Sequence, residues 1–286
     1  MKSFITYVNY FKAYLATQSK SAHTIKQYGL DSSQFIRFVK ENKYDMITEE
    51  VIKKYKVLLQ DNYTSIPTIN RKLASLKSFI KFLQHRNLMK AVDEQLFLPF
   101  EKENKELHLL SPKQIKQALE VWNSAYETTN DQEVQWMALR NFLIMRLIAG
   151  LGIKPSEVVR MKWSHILDEQ VRILTKKHFR DLSISSDMLN MLEIFKQKTL
   201  ELFPTPFAKD FIWLGLGNKH GEPITVKTIE RLFLHVSKTV GFKVTCTNVR
   251  YFAIQDDLQT TDDVDLLVDK FGYARKSVLT ERISRM

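Results

Sequence analysis

Apolar residues recur three and four positions apart along much of the first 90 residues. This spacing places them on one side of an α-helix. It is clearest in three stretches, which span residues 4–15, 25–39 and 69–83. Thr48 indicates a further helix between the last two, because a hydroxyl caps the first free amides and Glu49 and Glu50 lie at the positive end of the helix dipole. The pattern therefore predicts four helices.

The helical pattern stops between residues 91 and 110, which contain Pro99 and the polar run EKENKE. Such a stretch is typical of an interdomain linker. Ser111 and Pro112 then predict the start of another helix, since serine caps a helix and proline suits its first turn. A long apolar helix is predicted around Trp136–Ile148, ending near the glycines that follow it.

Strands are predicted only in the second half of the chain. Residues 170–184 alternate apolar and polar positions around the basic turn KKHFR, which indicates a β-hairpin, and the apolar run FIWLG at 211–215 predicts a third strand. From about residue 225 onward the spacing is again helical. The predicted fold class is mainly α with a small antiparallel β-sheet (α+β). It is divided into a helical domain at 1–90, a linker at 91–110 and a second domain at 111–286.

Composition narrows the class of protein. Of the 286 residues, 44% are hydrophobic and 26% are charged, which excludes a disordered chain. A single cysteine, Cys246, excludes an intrachain disulfide framework and fits a reducing compartment. No apolar stretch approaches the length of about 18 residues that a membrane span needs. We therefore expect a cytoplasmic protein that does not bind membranes.

The net charge of +11 is unevenly distributed. Residues 1–90 carry 16 Lys and Arg against 6 Asp and Glu, whereas residues 91–286 carry 27 against 26. A basic domain beside a nearly neutral one indicates a polyanionic partner, most often nucleic acid. On the fourth helix the polar positions Asn70, Arg71 and Lys77 lie opposite the apolar ones and suit contact with phosphates. The alternative is a solvated basic surface that serves solubility.

Familiar enzyme motifs are missing from the sequence. It contains no glycine-rich phosphate loop, no HExxH and no CxxC pair, and its seven histidines are scattered. The acidic run at 262–265 follows two threonines and is better explained as a capped helix start than as a cation site. No metal and no cofactor is predicted.

Five segments in order nevertheless resemble the tyrosine recombinases, the phage integrase family. SAHTIKQYGLDSSQFIRFV and TINRKLASLKSFIKFL, followed by a linker and LSPKQIKQAL, resemble the family's DNA-binding half. AGLGIKPSEVVRMKW is similar to its Gly-Leu-Arg-x-Ser-Glu-Leu signature, and KKHFRDLSI to the hairpin that carries its catalytic lysine. TNVRYFA resembles the His-x-x-Arg box, and FGYARKSVLTERI the segment that leads to the nucleophilic tyrosine. The resemblance covers nearly the whole chain.

The resemblance also assigns the family's catalytic positions, and several have changed. Lys154 stands at the first catalytic arginine, and Thr247 at the histidine of the His-x-x-Arg box. The arginine of that box is kept as Arg250, and Lys176 or Lys177 occupies the position of the hairpin lysine. A guanidinium binds two phosphate oxygens at once and an ammonium does not, so a lysine at position 154 is not equivalent to arginine.

The nucleophile is the largest departure. Tyr273 falls at the second histidine or tryptophan position, Arg282 stands where the tyrosine belongs, and no tyrosine follows Tyr273. Strand cleavage by this family needs a tyrosine oxygen that attacks the phosphate, so the resemblance implies a phosphate-binding pocket without its reaction. The alternative is a shifted nucleophile, for which Tyr273 and Tyr251 are the candidates. Because only four residues follow position 282, the family's subunit-docking tail is also expected to be missing.

The resemblance implies a two-domain clamp on double-stranded DNA. The residues predicted to contact DNA are Thr24, Lys26, Asn70, Arg71, Lys77, Lys81, Lys154, Lys176, Lys177, Arg250 and Arg282. Because the nucleophile is missing, we expect a non-catalytic, sequence-specific DNA-binding protein, most naturally a repressor of a phage or mobile element. A homo-oligomer on DNA and an antirepressor protein or peptide would be its further partners. A divergent site-specific recombinase and a non-catalytic recombination accessory factor are the alternatives.

Overall fold

The computed structural model describes residues 4–101, 106–175, 178–203 and 210–286. The chain is mainly helical with one three-stranded antiparallel sheet, which confirms the predicted fold class. It divides into two compact units, Met1–Asn104 and Lys105–Met286. None of the described helices is long and apolar enough to cross a membrane.

The first unit contains the four predicted helices. They are α1 (Phe4–Thr17), α2 (Ala22–Glu41), α3 (Glu49–Asn62) and α4 (Ile66–His85). The Thr48 hydroxyl caps α3 as predicted, by accepting a hydrogen bond from the Val51 amide. The apolar stripes meet in one core, in which Phe11, Phe35 and Phe79 are fully buried. Edge-to-face packing of the Phe11 and Phe79 rings, 5.2 Å apart, joins α1 to α4.

A charged cluster lies between α2 and α4 in this unit. The carboxylate of Asp31 pairs with Arg71 and with Lys72, whose Nζ lies 3.2 Å from Asp31 Oδ1. The Lys72 ammonium also donates to Gln34 and lies 4.8 Å from the centre of the Tyr63 ring. Asp31 and Lys72 are both buried, so each neutralises a charge that would otherwise be left in the core.

Residues 93–100 form a strap over the polar side of α4. The strap begins with a short 3-10 helix, Glu94–Phe97. The Asn70 side chain holds its far end by accepting from the Phe100 amide and donating to the Phe100 carbonyl, both at 2.8 Å. Lys56 of α3 donates to the Leu98 carbonyl and lies over the Phe100 ring.

The second unit has eight α-helices and the sheet among its described residues. The helices are α5 (Pro112–Thr128), α6 (Gln132–Leu151), α7 (Pro155–Val158), α8 (Ser186–Leu202), α9 (Val226–Val240), α10 (Cys246–Leu258), α11 (Val264–Lys270) and α12 (Lys276–Ile283). The strands are β1 (Ile166–Leu167), β2 (Gln170–Leu174) and β3 (Phe179–Ser183), paired in that order. The core is formed around α6, where the fully buried Trp136 stacks on Phe195 of α8.

One local prediction about this unit was wrong. Residues 211–215 form only isolated bridges, and the third strand is instead β1. Ile212, Trp213 and Leu214 are all buried, so this run is apolar because the core surrounds it and not because it belongs to a sheet. The acidic run near 262 does begin a helix as expected, and Asp263 caps it.

The charged cluster in the first unit yields a stability prediction. Asp31→Ala would leave the buried Lys72 ammonium without its carboxylate, and we expect a loss of about 3–5 kcal/mol in the free energy of unfolding of this unit. Hydrogen exchange of the amides of α2 and α4 measures it directly. Glu50→Ala is the control, because it removes an exposed ion pair with Lys54 in the same unit and should lower the free energy of unfolding far less. Equal losses of unfolding free energy in the two variants would contradict the stabilising role of the buried Asp31–Lys72 pair.

Candidate functional site

Two glycines shape the site in the second unit. Gly152 ends α6 with φ of 58° and turns the chain toward Lys154. Gly272, between α11 and α12, has φ of 60° and lies against β3. A Cβ atom would lie 2.3 Å from the Phe271 ring at the first glycine and 2.0 Å from Arg180 Nη1 at the second. Both positions therefore require glycine for conformation and for space.

A buried ion pair lies at the centre of the site. Arg180 of β3 reaches Glu157 of α7 with two parallel hydrogen bonds, of 3.0 and 2.9 Å. Both side chains are more than nine-tenths buried, and the Lys154 amide donates a third bond to the same carboxylate. Burial alone would raise the pKa of Glu157, but these bonds outweigh it and hold the pKa below its ordinary value. Sequence reasoning did not identify either residue of this pair.

Lys154 is held inside the site. Its ammonium donates to the Gly272 carbonyl, lies 3.6 Å from Glu157 and is 5.7 Å from the centre of the Tyr273 ring. Burial is the main cause that lowers the pKa of Lys154, and the nearby arginines lower it further. The ammonium is thus already engaged by this unit's own acceptors.

Arg250 of α10 makes three internal hydrogen bonds. Its Nε donates to the Gly152 carbonyl at 2.5 Å, and its Nη2 donates to the Phe271 carbonyl at 2.7 Å. Its Nη1 donates to the Tyr273 hydroxyl at 3.0 Å, and the guanidinium lies over the same ring. These partners join the end of α6 to the segment after α11. A guanidinium carries five N–H bonds, so two remain for other acceptors.

The two tyrosines of the site differ in their surroundings. Tyr251 is buried, and burial raises the pKa of its phenol although Arg282 and Arg250 act in the opposite direction. A raised pKa disfavours the phenolate that nucleophilic attack needs. Tyr273 is only partly buried and accepts the bond from Arg250. Arg282 of α12 is one-third exposed and lies 3.8 Å from Glu281.

The remaining predicted positions are more dispersed. Thr247 is exposed in the first turn of α10. Lys176 and Lys177 lie outside the described residues. The structure thus groups Lys154, Arg250, Tyr273 and Arg282 in one region of the second unit, through direct contacts or, for Arg282, through its electrostatic effect on Tyr251.

The predicted DNA contacts of the first unit are mostly engaged by the unit itself. Asn70 holds the strap, and Arg71 pairs with Asp31. Lys77 and Lys81 both pair with one strap residue, Glu94. On α2, Thr24 lies in the first turn, where its amide donates to the capping Ser21 hydroxyl, and Lys26 is exposed to solvent.

Parts of the sequence are similar to known proteins. Residues 8–87 match the phage integrase N-terminal SAM-like domain. The chain is 29% identical over 189 residues to a tyrosine recombinase XerD-like protein of Streptococcus mutans serotype c, an alignment that covers 65% of this chain and 68% of that protein. It is 24% identical over 276 residues to tyrosine recombinase XerA of Pyrococcus horikoshii, covering 93% and 85%.

Solved structures of recombinases have the same fold. A XerH site-specific recombinase bound to its difH substrate before cleavage gives a TM-score of 0.70 at 15% identity and covers 91% of this chain and 76% of that chain. A lambda integrase dimer bound to a COC' core site gives 0.64 at 15% identity and covers 96% of each chain. The fold is therefore that of the tyrosine recombinases. Together with the matched domain and the curated relatives, it supports membership of the tyrosine recombinase (phage integrase) family.

The bonding of Arg250 leads to a prediction about stability. Arg250→Ala would remove the donors of two backbone carbonyls and one hydroxyl, and we expect the second unit to lose about 1–3 kcal/mol with a lower melting temperature. Tryptophan fluorescence reports this unit alone, because all four tryptophans lie in it.

Arg172→Ala is the matched control, since it removes an arginine from an exposed pair in the same unit. An unchanged melting temperature in Arg250→Ala, together with weaker DNA binding, would favour the phosphate contact that the resemblance implies over a structural role.

Proposed function

We propose that this protein binds double-stranded DNA sequence-specifically, does not cleave it, and represses transcription from a phage or mobile element. The observation that carries the proposal is the arginine at position 282. In the family's pattern this position belongs to the tyrosine that attacks the phosphate. An arginine side chain cannot form the covalent phosphotyrosine intermediate, but it attracts a phosphate.

DNA binding is supported by charge and by the structural neighbours. The first 90 residues carry a net charge of +10, which supplies the sequence-independent attraction to a phosphate backbone. The XerH and lambda integrase structures of the same fold contain DNA. We extend to this chain the binding of duplex DNA, and also assembly into an oligomer on DNA, as in the lambda integrase dimer.

Loss of cleavage is supported by the bonds of the remaining cations. Lys154 contacts Glu157 and a backbone carbonyl, and Arg250 donates to two backbone carbonyls and a hydroxyl. Transition-state stabilisation needs donors directed at the phosphate oxygens. In this protein those donors stabilise the fold, so the site suits holding a phosphate better than activating one.

A second candidate function follows from Tyr273. Its hydroxyl lies 3.0 Å from Arg250 Nη1, and the cations of Arg250 and Lys154 lie near its ring. A hydroxyl beside two cations that can attract a phosphate is placed as a nucleophile would be, so a recombinase that uses this tyrosine is the rival enzyme. Tyr251 is less suited because its phenol is buried and its pKa is raised.

Trapping of a covalent intermediate separates these two functions. We expect no covalent protein–DNA band in denaturing gels when the protein is incubated with a nicked suicide substrate that carries its binding site. A gel-shift on the same substrate shows that binding has occurred. A covalent band that disappears in Tyr273→Phe and persists in Tyr251→Phe would establish the recombinase instead.

Repression is preferred to an accessory role because it needs no further partner. Specific DNA binding typically exceeds non-specific binding by about 10³–10⁷-fold, which allows a stationary protein to exclude polymerase from a promoter. An accessory factor needs a recombinase to assist. An antirepressor protein or peptide that releases the DNA would complete the regulatory role.

A reporter experiment tests repression. Supplying the protein in trans should silence a reporter whose promoter overlaps the binding site, and should leave a reporter with a scrambled site unaffected. Silencing of both reporters, or of neither, would contradict the proposal. If the protein instead alters excision or integration of a nearby element without affecting the reporter, it is an accessory factor.

A further inference from the structure

Glu94 of the strap lies between two lysines of α4. Its Oε2 is 2.7 Å from Lys77 Nζ, and its Oε1 is 2.7 Å from Lys81 Nζ. Hydrogen bonds from these two ammonium groups hold the pKa of Glu94 at about 2, so the carboxylate is ionised in any ordinary buffer. Glu94 therefore places one negative charge, shared by two oxygens, on a pair of lysines one helical turn apart.

This arrangement has the chemistry of a backbone phosphate contact. A phosphodiester also carries one negative charge and offers two non-bridging oxygens to cationic donors. Lys77 and Lys81 were predicted from the sequence to contact phosphates. In the structure, the two carboxylate oxygens of Glu94 bind the same two ammonium groups that such a phosphate contact would use.

The strap keeps Glu94 in this position from both sides. On the N-terminal side, the Asp93 amide donates to Glu49 at 2.8 Å, and the Asp93 carboxylate caps the short 3-10 helix. On the other side, the two hydrogen bonds between Asn70 and Phe100 fasten the strap to α4. The strap thus holds Glu94 close to the lysines.

The contact is also weak enough to be exchanged. The side chains of Lys77, Lys81 and Glu94 are 36%, 52% and 63% exposed. Ion pairs at such exposure contribute little to stability and are screened by salt. A phosphate of high local charge density can displace the carboxylate without unfolding any part of the unit.

We propose that Glu94 is an internal phosphate mimic that competes with the DNA backbone for Lys77 and Lys81 and so lowers the affinity of this protein for duplex DNA. The inference rests on the proposed DNA binding and adds an autoinhibitory contact to it. Its consequence is that the affinity for non-specific DNA is kept below what the basic unit would otherwise give.

The test is a comparison of Glu94→Gln with a matched control in the full-length chain. Glu50→Gln removes the same charge from the same unit, but Glu50 pairs only with Lys54 in the described residues, at 3.7 Å. The probe is a fluorescently labelled 30-base-pair duplex of random sequence, and the readout is anisotropy at several NaCl concentrations. Circular dichroism confirms equal helix content in all variants.

We expect Glu94→Gln to bind about threefold to tenfold more tightly than the unmodified protein at low salt, because two exposed ion pairs no longer compete. The gain should shrink as salt rises, since salt screens those pairs. Glu50→Gln should change the affinity by less than twofold. In a Lys77→Ala/Lys81→Ala background, Glu94→Gln should have no further effect.

Each other result has a defined meaning. Equal gains in Glu94→Gln and Glu50→Gln would show a general charge effect and overturn the inference, and so would unchanged or weaker binding by Glu94→Gln. In both cases the unmodified protein still binds, so the proposed DNA binding stands. Failure of every variant, including the unmodified protein, to bind any duplex would overturn the proposed function and this inference together.

Discussion

The site of the second unit depends on the buried ion pair between Glu157 and Arg180, and the Glu157 carboxylate is its centre. It joins β3 through the two bonds from Arg180 and joins the turn before α7 through the Lys154 amide. The lack of a side chain at Gly272 allows the Arg180 guanidinium to reach it. Removing either partner would leave a charge buried without compensation, which costs far more than an exposed pair. Lys154 contacts this pair directly, through its amide and through its ammonium, which lies 3.6 Å from Glu157.

The same use of charge recurs across the molecule. Arg250 donates to backbone carbonyls at the ends of α6 and α11. Asp31 neutralises two cations between α2 and α4, and Glu94 pairs with two lysines of α4. Many of the cations predicted to contact DNA are therefore bonded to the protein's own acceptors. In the function that we propose, DNA binds to the donors that are left or displaces the exposed acceptors. The distribution supports the proposal of reversible binding without phosphate activation.

The sequence predicted the parts of the fold that local signals determine. Helical spacing and the capping residues Thr48 and Ser111 can be recognised from a few neighbouring residues of the sequence. The helices α3 and α5 begin where these capping residues indicate. The strand at 211–215 was wrong because burial by the core and burial in a sheet produce the same apolar run. The Glu157–Arg180 pair was missed because its members are 23 residues apart and only the fold brings them together. The available signal in the sequence was Glu157 directly before the apolar pair Val158 and Val159, since an acid in an apolar setting needs a cation.

The central claim is that this recombinase-like protein regulates DNA that it does not cut. Genome-wide recovery of the DNA bound in the native cell, combined with transcript measurement after deletion of the gene, tests it most directly. The account predicts a few discrete bound sites that overlap promoters, with the adjacent transcripts rising on deletion. Bound sites located at recombination junctions, with unchanged transcripts and altered excision or integration, would contradict it.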